Sequence, residues 1–347
     1  MAHSEGVMDG EAFAVAVGER AASALSRVPA RTAEFAIGAL PFTLTAPAGG
    51  DESWMGRAFL QRGNTGIAPA HSLFIWGGTT ADELPPRPPW HMTAVQPLGL
   101  VASHDVVRCA YDIEAGSLIV SDLAKSRSYT WFADMATIPP WVKAGPLQIP
   151  LSWLCNLHGM QIVHGGAVAI DGRAALLVGN SGAGKSTTAL ACALAGFEYL
   201  GDDYCAIEPT AGMVHLTYRT AKLSRHSLAL LPSLEHRVDN LDRTAMEKGV
   251  IFLNPHDVKL RPSAELAAIL LPRVCEDGGP PRLLPASREE AIKGVLPSTI
   301  VQLMGGTSAT PRMILELARS VPAYHLLLGP DIAAVTDVVA TQIMAAA

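Results

Sequence analysis

The sequence predicts an α/β chain: an α+β N-terminal part, then a core built on a mixed, largely antiparallel sheet. Three observations carry this. A buried-strand run, AALLVG, leads straight into a glycine-rich loop and then a helix-forming segment, Lys185 to Ala195. Asp171-Gly172 stands just before that run and favours a type I′ hairpin, so the strand entering the loop is joined antiparallel to its predecessor. Short β-rich segments punctuated by Gly and Pro fill much of the first 145 residues.

Each element follows from its local pattern. Residues 9–28 are alanine-rich with helical spacing, and Val28-Pro29 ends them. Short strands are expected over Phe35–Leu44 and Ser72–Trp76, with loops at Gly49-Gly50 and at Pro85 to Pro89. VVRCAYDI and SLIVSDL flank a turn at Glu114-Ala115-Gly116. Pro139-Pro140 and Gly145-Pro146 place a domain boundary there, giving an N-terminal domain over 1–145 and a core domain over 146–347. LSWLCNLHGM reads as helix, IVHGGAVAI as one strand, and FEYLGDDYCAIE as a strand pair broken by Asp202-Asp203. Gly196 suits the C′ position of the helix before it. Further on, AELAAILLPRV reads as a buried strand ended by proline and charge. Residues 287–304 form a helix interrupted at Pro297, and a terminal helix puts Ile332, Val335, Val339 and Ile343 on one face.

Bulk properties narrow the function classes. The 347 residues are 49% apolar with net charge −6, and no basic stripe with interleaved aromatics appears, so nucleic acid is not an expected partner. No apolar run approaches the length of a membrane span, and the N-terminus lacks a basic n-region, so neither membrane nor signal peptide is expected. Five widely spaced cysteines without a C-x-x-C suggest reduced core thiols in a cytoplasmic protein.

The chemistry concentrates in GNSGAGKSTT, residues 179–188, which fits G-x-x-x-x-G-K-[ST]. The glycines let backbone N–H groups converge on an anion, the lysine reaches the outer phosphates, and the next hydroxyl ligates Mg²⁺. Gly179, Asn180, Ser181, Gly182, Ala183, Gly184, Lys185, Ser186 and Thr187 are therefore the expected nucleotide contacts, with ATP and Mg²⁺ as cofactors. Eighteen residues separate Lys185 from Asp203, room for a helix and a short strand running back beside the loop strand. Of the adjacent acids, one can face Mg²⁺ and the other can act as base towards an acceptor hydroxyl.

Twenty-one residues before Lys185 stands His164, in VHGG. With these intervals, His164 through Asp203 resembles the catalytic core of HPr kinase/phosphorylase. That family carries His-Gly on a strand, a loop of form G-[DN]-S-G-x-G-K-S and a hydrophobic-Asp-Asp ending, and its core resembles phosphoenolpyruvate carboxykinase. The resemblance implies Lys185 on the phosphates, Ser186 and Asp202 towards the metal, Asp203 as proton acceptor for a serine hydroxyl, and His164 beside the acidic pair. It also implies a protein or peptide acceptor and a homo-oligomer.

The family's second signature, E-I-R-G-x-G, is missing. LTYRTAKLSRHSLALLP stands there instead, with Arg219, Lys222, Arg225 and His226, and Lys248 follows. Lys222 and Lys248 are the candidates for neutralising charge on a transferring phosphoryl group. This modified pattern resembles the HPr-kinase-related enzymes that tailor lasso peptides, which phosphorylate a serine of a ribosomal precursor peptide. The other readings are a regulatory HPr-type kinase/phosphorylase, a small-molecule kinase and an ATP-binding sensor. A transport ATPase is disfavoured, since neither LSGGQ nor a hydrophobic run ending in Asp-Glu occurs.

Overall fold

A computed structural model describes residues 9–48, 56–60, 67–95, 99–104, 106–244, 247–275, 278–303 and 309–345. Gly49-Gly50 and Met304 lie outside the described residues. The chain opens with α1 (Gly10–Ser26), capped by Asp9, whose Oδ1 accepts from the Ala12 N–H at 2.7 Å. Eight strands follow: β1 (Ala30–Ile37), β2 (Leu40–Pro47), β3 (His71–Gly77), β4 (Thr93–Val95), β5 (Gly99–His104), β6 (Val107–Asp112), β7 (Ser117–Asp122) and β8 (Arg127–Phe132). They form one sheet in the order β1-β2-β3-β8-β7-β6-β5-β4. The run expected as one strand over Phe35–Leu44 is instead the hairpin of β1 and β2, turning at Gly38, whose φ of +58° suits glycine. α1 buries Phe13, Val17 and Ala21 against Trp76, Val120 and Trp131 on this sheet.

Two short helices, α2 (Pro140–Ala144) and α3 (Gln148–Leu157), lead into the second half. That half runs β9 (Gln161–His164), β10 (Gly166–Ile170), β11 (Arg173–Leu177), α4 (Lys185–Leu194), β12 (Glu198–Gly201), β13 (Tyr204–Glu208), β14 (Met213–Leu216), β15 (Thr220–Leu223) and α5 (Arg225–Leu230). It continues through β16 (Gly249–Phe252), β17 (Lys259–Leu260), β18 (Ser263–Val274), β19 (Arg282–Ala286), α6 (Arg288–Gln302), α7 (Ala309–Ser320), β20 (Ala323–Leu328) and α8 (Ile332–Ala345). The central sheet orders as β17-β12-β10-β11-β18-β14-β13-β9, with β20 on β18 and β19 on β20. Its parallel pairings are β11 with β18, β12 with β17 and β18 with β20; the others are antiparallel. The expected mixed, largely antiparallel α/β architecture is what forms.

Helices cover both faces of this sheet. On one, α4 and α8 bury Ala189, Cys192, Val335, Val339 and Ile343 against Val168 and Leu177. On the other, α6 and α7 bury Ala291, Val295, Ile314 and Leu317 against Val163, Leu176 and Ile269. A further cluster joins the two halves, packing Phe35, Phe42 and Leu73 with Leu151, Ile162, Tyr204 and Tyr218. All five cysteines are buried. Among the described residues, no helix is long and apolar enough to cross a membrane.

Several local readings hold in detail. Asp171 and Gly172 have φ of +48° and +80°, as a type I′ turn requires, and β10 pairs antiparallel with β11 through it. Gly196 has φ +97°, with its N–H on Ala193 O and the Phe197 N–H on Cys192 O, a Schellman ending to α4.

Other readings change. α6 continues through Pro297, held at its start by a Ser287–Glu290 capping box and along its length by packing on the sheet. β18 carries on through Pro272, which pairs with Leu326 of β20. IVHGGAVAI is two strands broken at Gly165: β9 pairs with β13 at the sheet's edge, while β10 lies between β11 and β12. The chain crosses at a point where only glycine fits. A Cβ on Gly165 would stand 2.7 Å from the Leu177 carbonyl oxygen, and one on Gly166 would stand 3.0 Å from that of Asp202. β12, in turn, runs beside β10 and not directly beside β11.

Gly165→Ala is expected to lose about 1–3 kcal/mol of stability through this overpacking, measured by denaturant unfolding. Wild-type stability in that variant would show that the crossing tolerates a side chain.

Candidate active site

The glycine-rich loop joins β11 to α4. Gly182 and Gly184 have φ of +82° and +101°, and Gly184 is the N-cap of α4 without a side-chain cap bond. The first-turn N–H groups of α4 have no intrahelical partners, so the loop and helix start form an anion cradle. The Lys185 ammonium sits at its mouth, donating to the carbonyls of Gly179 at 2.9 Å and Asn180 at 3.0 Å. Burial pulls the Lys185 pKa down, against the opposing pull of Asp203 and Asp202. Thr187 lines the same cavity and donates its hydroxyl to Ser227 of α5 at 2.9 Å.

Asp202 and Asp203 occupy the turn between β12 and β13, at the end of the sheet where the loop opens. Gly201, with φ +142°, bends the chain out of β12 just ahead of them. Although adjacent, they meet opposite surroundings. Asp202 is 1% exposed. Its Oδ2 accepts the Lys222 backbone N–H at 2.8 Å, and the Ser186 hydroxyl also hydrogen-bonds the carboxyl. Burial, reinforced by the neighbouring Asp203 charge, pushes its pKa up to about 6. Asp203 is half-buried, with its side chain 16% exposed, which by itself would raise its pKa. The ion pair with Lys222 Nζ, together with His164 Nε2 at 3.3 Å, outweighs this and holds it well below the ordinary carboxylate range.

The structure thus brings His164, Lys185, Ser186, Asp202, Asp203 and Lys222 together. Lys248, which is exposed, reaches the same place from the start of β16 and acts electrostatically on both Lys185 and Asp202. Among the other basic residues, His226 lines the loop cavity, whereas Arg219 donates to the Arg57 carbonyl at 2.7 Å away from it.

Three contributors had no motif to mark them. The Tyr204 ring lies 5.8 Å from that of His164 and 5.6 Å from Lys222 Nζ. Gln302 fixes the Tyr204 hydroxyl at 2.6 Å, and the Thr299 hydroxyl accepts the His164 N–H at 3.2 Å. Tyr204 follows the acidic pair directly in sequence, the one signal that could have found it.

Mg²⁺ fits this donor set. Ser186 and Asp202 touch, and Asp202 Oδ1 is a buried acceptor with no partner among the described residues. No group of three or more His, Cys, Asp or Glu side chains is placed to hold a metal among those residues. Few protein ligands suit an ion that keeps several waters and shares phosphate oxygens.

Two cavities meet at the cluster. One, about 660 Å³, runs along the loop and α4 to Ser227, Cys275 and Ile332. The other, about 650 Å³, runs between the central sheet and the N-terminal sheet. His164, Ser181, Asp203, Lys222 and Lys248 line both.

No protein-family model matches the chain, and no curated protein matches it. Among solved structures the chain is similar to the HPr(Ser) kinase/phosphatase from Coxiella burnetii. Identity is 13% and the TM-score 0.30, with 53% of this chain and 97% of that chain covered. A likeness that distant decides nothing about the reaction, which rests on the side chains.

Lys222→Met strands a half-buried carboxylate, with an expected loss of about 1–3 kcal/mol, and adding Asp203→Asn should restore much of it. A double-mutant cycle by denaturant unfolding reads this; additive losses would mean that the two groups do not interact. Asp202 supplies a pH signature of opposite sign. Folded, it keeps its proton to about pH 6; unfolded, only to about pH 4. Between these values the folded state binds more protons, so the Asp202 contribution lowers stability as pH rises. The contribution of Asp203, depressed when folded, is full above about pH 4 and lost as pH falls towards its folded value. Unfolding from pH 4 to 6 should therefore show Asp202→Asn gaining on the wild type as pH rises. A constant difference across that range would contradict the assignment.

Proposed function

We propose that the protein is a Mg²⁺-ATP-dependent kinase that transfers the γ-phosphoryl group to a hydroxyl, a serine hydroxyl of a precursor peptide being the acceptor the motif resemblance favours. The observation that carries this is the position of Asp203: an ionised, half-buried carboxylate lining both cavities at once. In this reading the loop cavity holds ATP and the other admits the acceptor.

The loop N–H groups and Lys185 would bind the β- and γ-phosphates, and Ser186 and Asp202 would hold the metal. When bound, Mg²⁺ neutralises charge on the phosphates. An acceptor hydroxyl entering from the other side hydrogen-bonds to Asp203. Its oxygen forms a bond to Pγ as the bond from Pγ to the ADP oxygen breaks, and its proton passes to Asp203. Phosphoryl transfer of this kind draws mainly on positioning and charge. A carboxylate held ionised by Lys222 and His164 orients the hydroxyl first and takes the proton as the new bond forms.

Lys222 belongs to the same step. Bound to Asp203 and lining both cavities, it can follow the negative charge from the carboxylate to the transferring group. Lys248 adds a second cation from the exposed side. His164 keeps Asp203 oriented through Nε2; Thr299 holds the His164 backbone N–H, and the Tyr204 ring lies beside the imidazole.

Asp203→Asn is expected to lower transfer by about 10²–10⁴-fold while nucleotide affinity is kept. Acceptor mass after incubation with Mg²⁺-ATP reads the first, and calorimetry with a non-hydrolysable ATP analogue reads the second. Transfer at the wild-type rate in this variant would remove Asp203 from the chemistry.

A further inference from the structure

The cavity between the two sheets has a wall that the transfer reaction alone does not use. At its catalytic end stand Lys222 and Lys248, accompanied by Asp203, the ion-pair partner of Lys222, and by Glu247. Its far side is formed by the N-terminal sheet, where Asp112 ends β6 and Glu114 lies in the following turn. The Asp112 carboxylate accepts the Ala115 N–H at 3.0 Å, which fixes it in the turn; Glu114 is exposed. Among the described residues neither makes an ion pair. The lining therefore carries four carboxylates against two ammonium groups, an acidic excess contributed by the N-terminal side.

Between the two ends the walls combine apolar side chains with the neutral polar Ser117, Thr130 and Gln148. Ile119 and Phe132 come from the N-terminal sheet, and Trp141 and Val301, at 39% and 48% exposure, stand open to solvent. His164 supplies an independent sign of a ligand: it is 5% exposed, lines this cavity, and its Nδ1 has no partner among the described residues. A cavity of about 650 Å³ is in the range that takes a ligand of drug size or a short peptide segment.

We propose that this cavity is the acceptor cleft, and that it selects a serine-containing peptide with a lysine or arginine close to the serine. The serine hydroxyl reaches Asp203, the basic side chain lies against Asp112 and Glu114, and neighbouring side chains rest on Trp141 and Val301. The N-terminal sheet is then the element that chooses the acceptor. This rests on the kinase reading for the role of Asp203, but the charge preference of the cleft stands apart from transfer.

The test uses the full chain saturated with Mg²⁺ and a non-hydrolysable ATP analogue. Calorimetry compares a short serine peptide flanked by arginines, its counterpart flanked by glutamates, and ethanolamine as a free amino alcohol. The basic peptide should bind at least about tenfold tighter than the acidic one, the scale of one well-placed charge contact. Glu114→Lys should remove that preference, and Trp141→Ala should weaken both peptides, with nucleotide affinity and melting temperature unchanged in each. Equal binding of the two peptides, no binding of either, or a preference that survives Glu114→Lys would overturn the proposal. So would ethanolamine binding in place of the peptides. With ATP itself, a basic peptide that binds but gains no phosphate would strike the kinase reading and leave the cleft standing.

Discussion

The contact between Asp203 and Lys222, with His164 on the other carboxylate oxygen, is the constraint on which the site depends. A carboxylate and an ammonium withdrawn from water lose several kcal/mol of hydration each, and only close, well-fixed geometry returns it. The geometry here draws on three separate places in the chain: the end of β9, the turn between β12 and β13, and β15. None can shift without leaving a buried charge unpaired. The crossing at Gly165 and Gly166 is part of the same constraint. It lets β9 leave the strand beside the loop and present His164 to the acidic turn, while the Gly165 N–H holds the Asp203 carbonyl at 3.1 Å.

That one contact also separates two residues which look equivalent in sequence. Lys222 gives its side chain to Asp203 and its backbone N–H to Asp202. The first bond carries a full charge and the second does not, so Asp203 is ionised well below the ordinary range while Asp202 is pushed up to about 6. Neighbouring carboxylates driven apart in this way suit different tasks. Asp202 is hydrogen-bonded to Ser186 and has one oxygen without a partner among the described residues; Asp203 lines both cavities.

What the sequence revealed divides along physical lines. The loop, the type I′ turn at Asp171-Gly172 and the Schellman ending at Gly196 are set by a few adjacent residues, and all were legible. The spacing of His164, Lys185 and Asp203 was legible because two short strands and a helix leave little freedom in where the chain returns. Non-local pairing was not. IVHGGAVAI alternates as one strand, and only the approach of the Leu177 and Asp202 carbonyls shows why it must break at Gly165. Pro297 signalled an interruption that packing of α6 on the sheet overrides. Lys222 stood out only as one of two candidate cations, with Lys248; its contact with Asp203 is tertiary, since β15 passes the acidic turn. Asp112 and Glu114 carried no signal at all, because the cavity that joins them to Asp203 exists only once the two halves pack.

The central claim is that two adjacent carboxylates at the meeting point of two cavities titrate far apart, Asp202 above and Asp203 below the ordinary range. Carbon-13 NMR of aspartate carboxyl groups across a pH titration, assigned through Asp202→Asn and Asp203→Asn, tests it most directly. The account predicts one carboxyl titrating near 6, lost in Asp202→Asn, and one that stays ionised well below the ordinary range, lost in Asp203→Asn. Two carboxyls titrating together near the ordinary aspartate value of about 4 would contradict it.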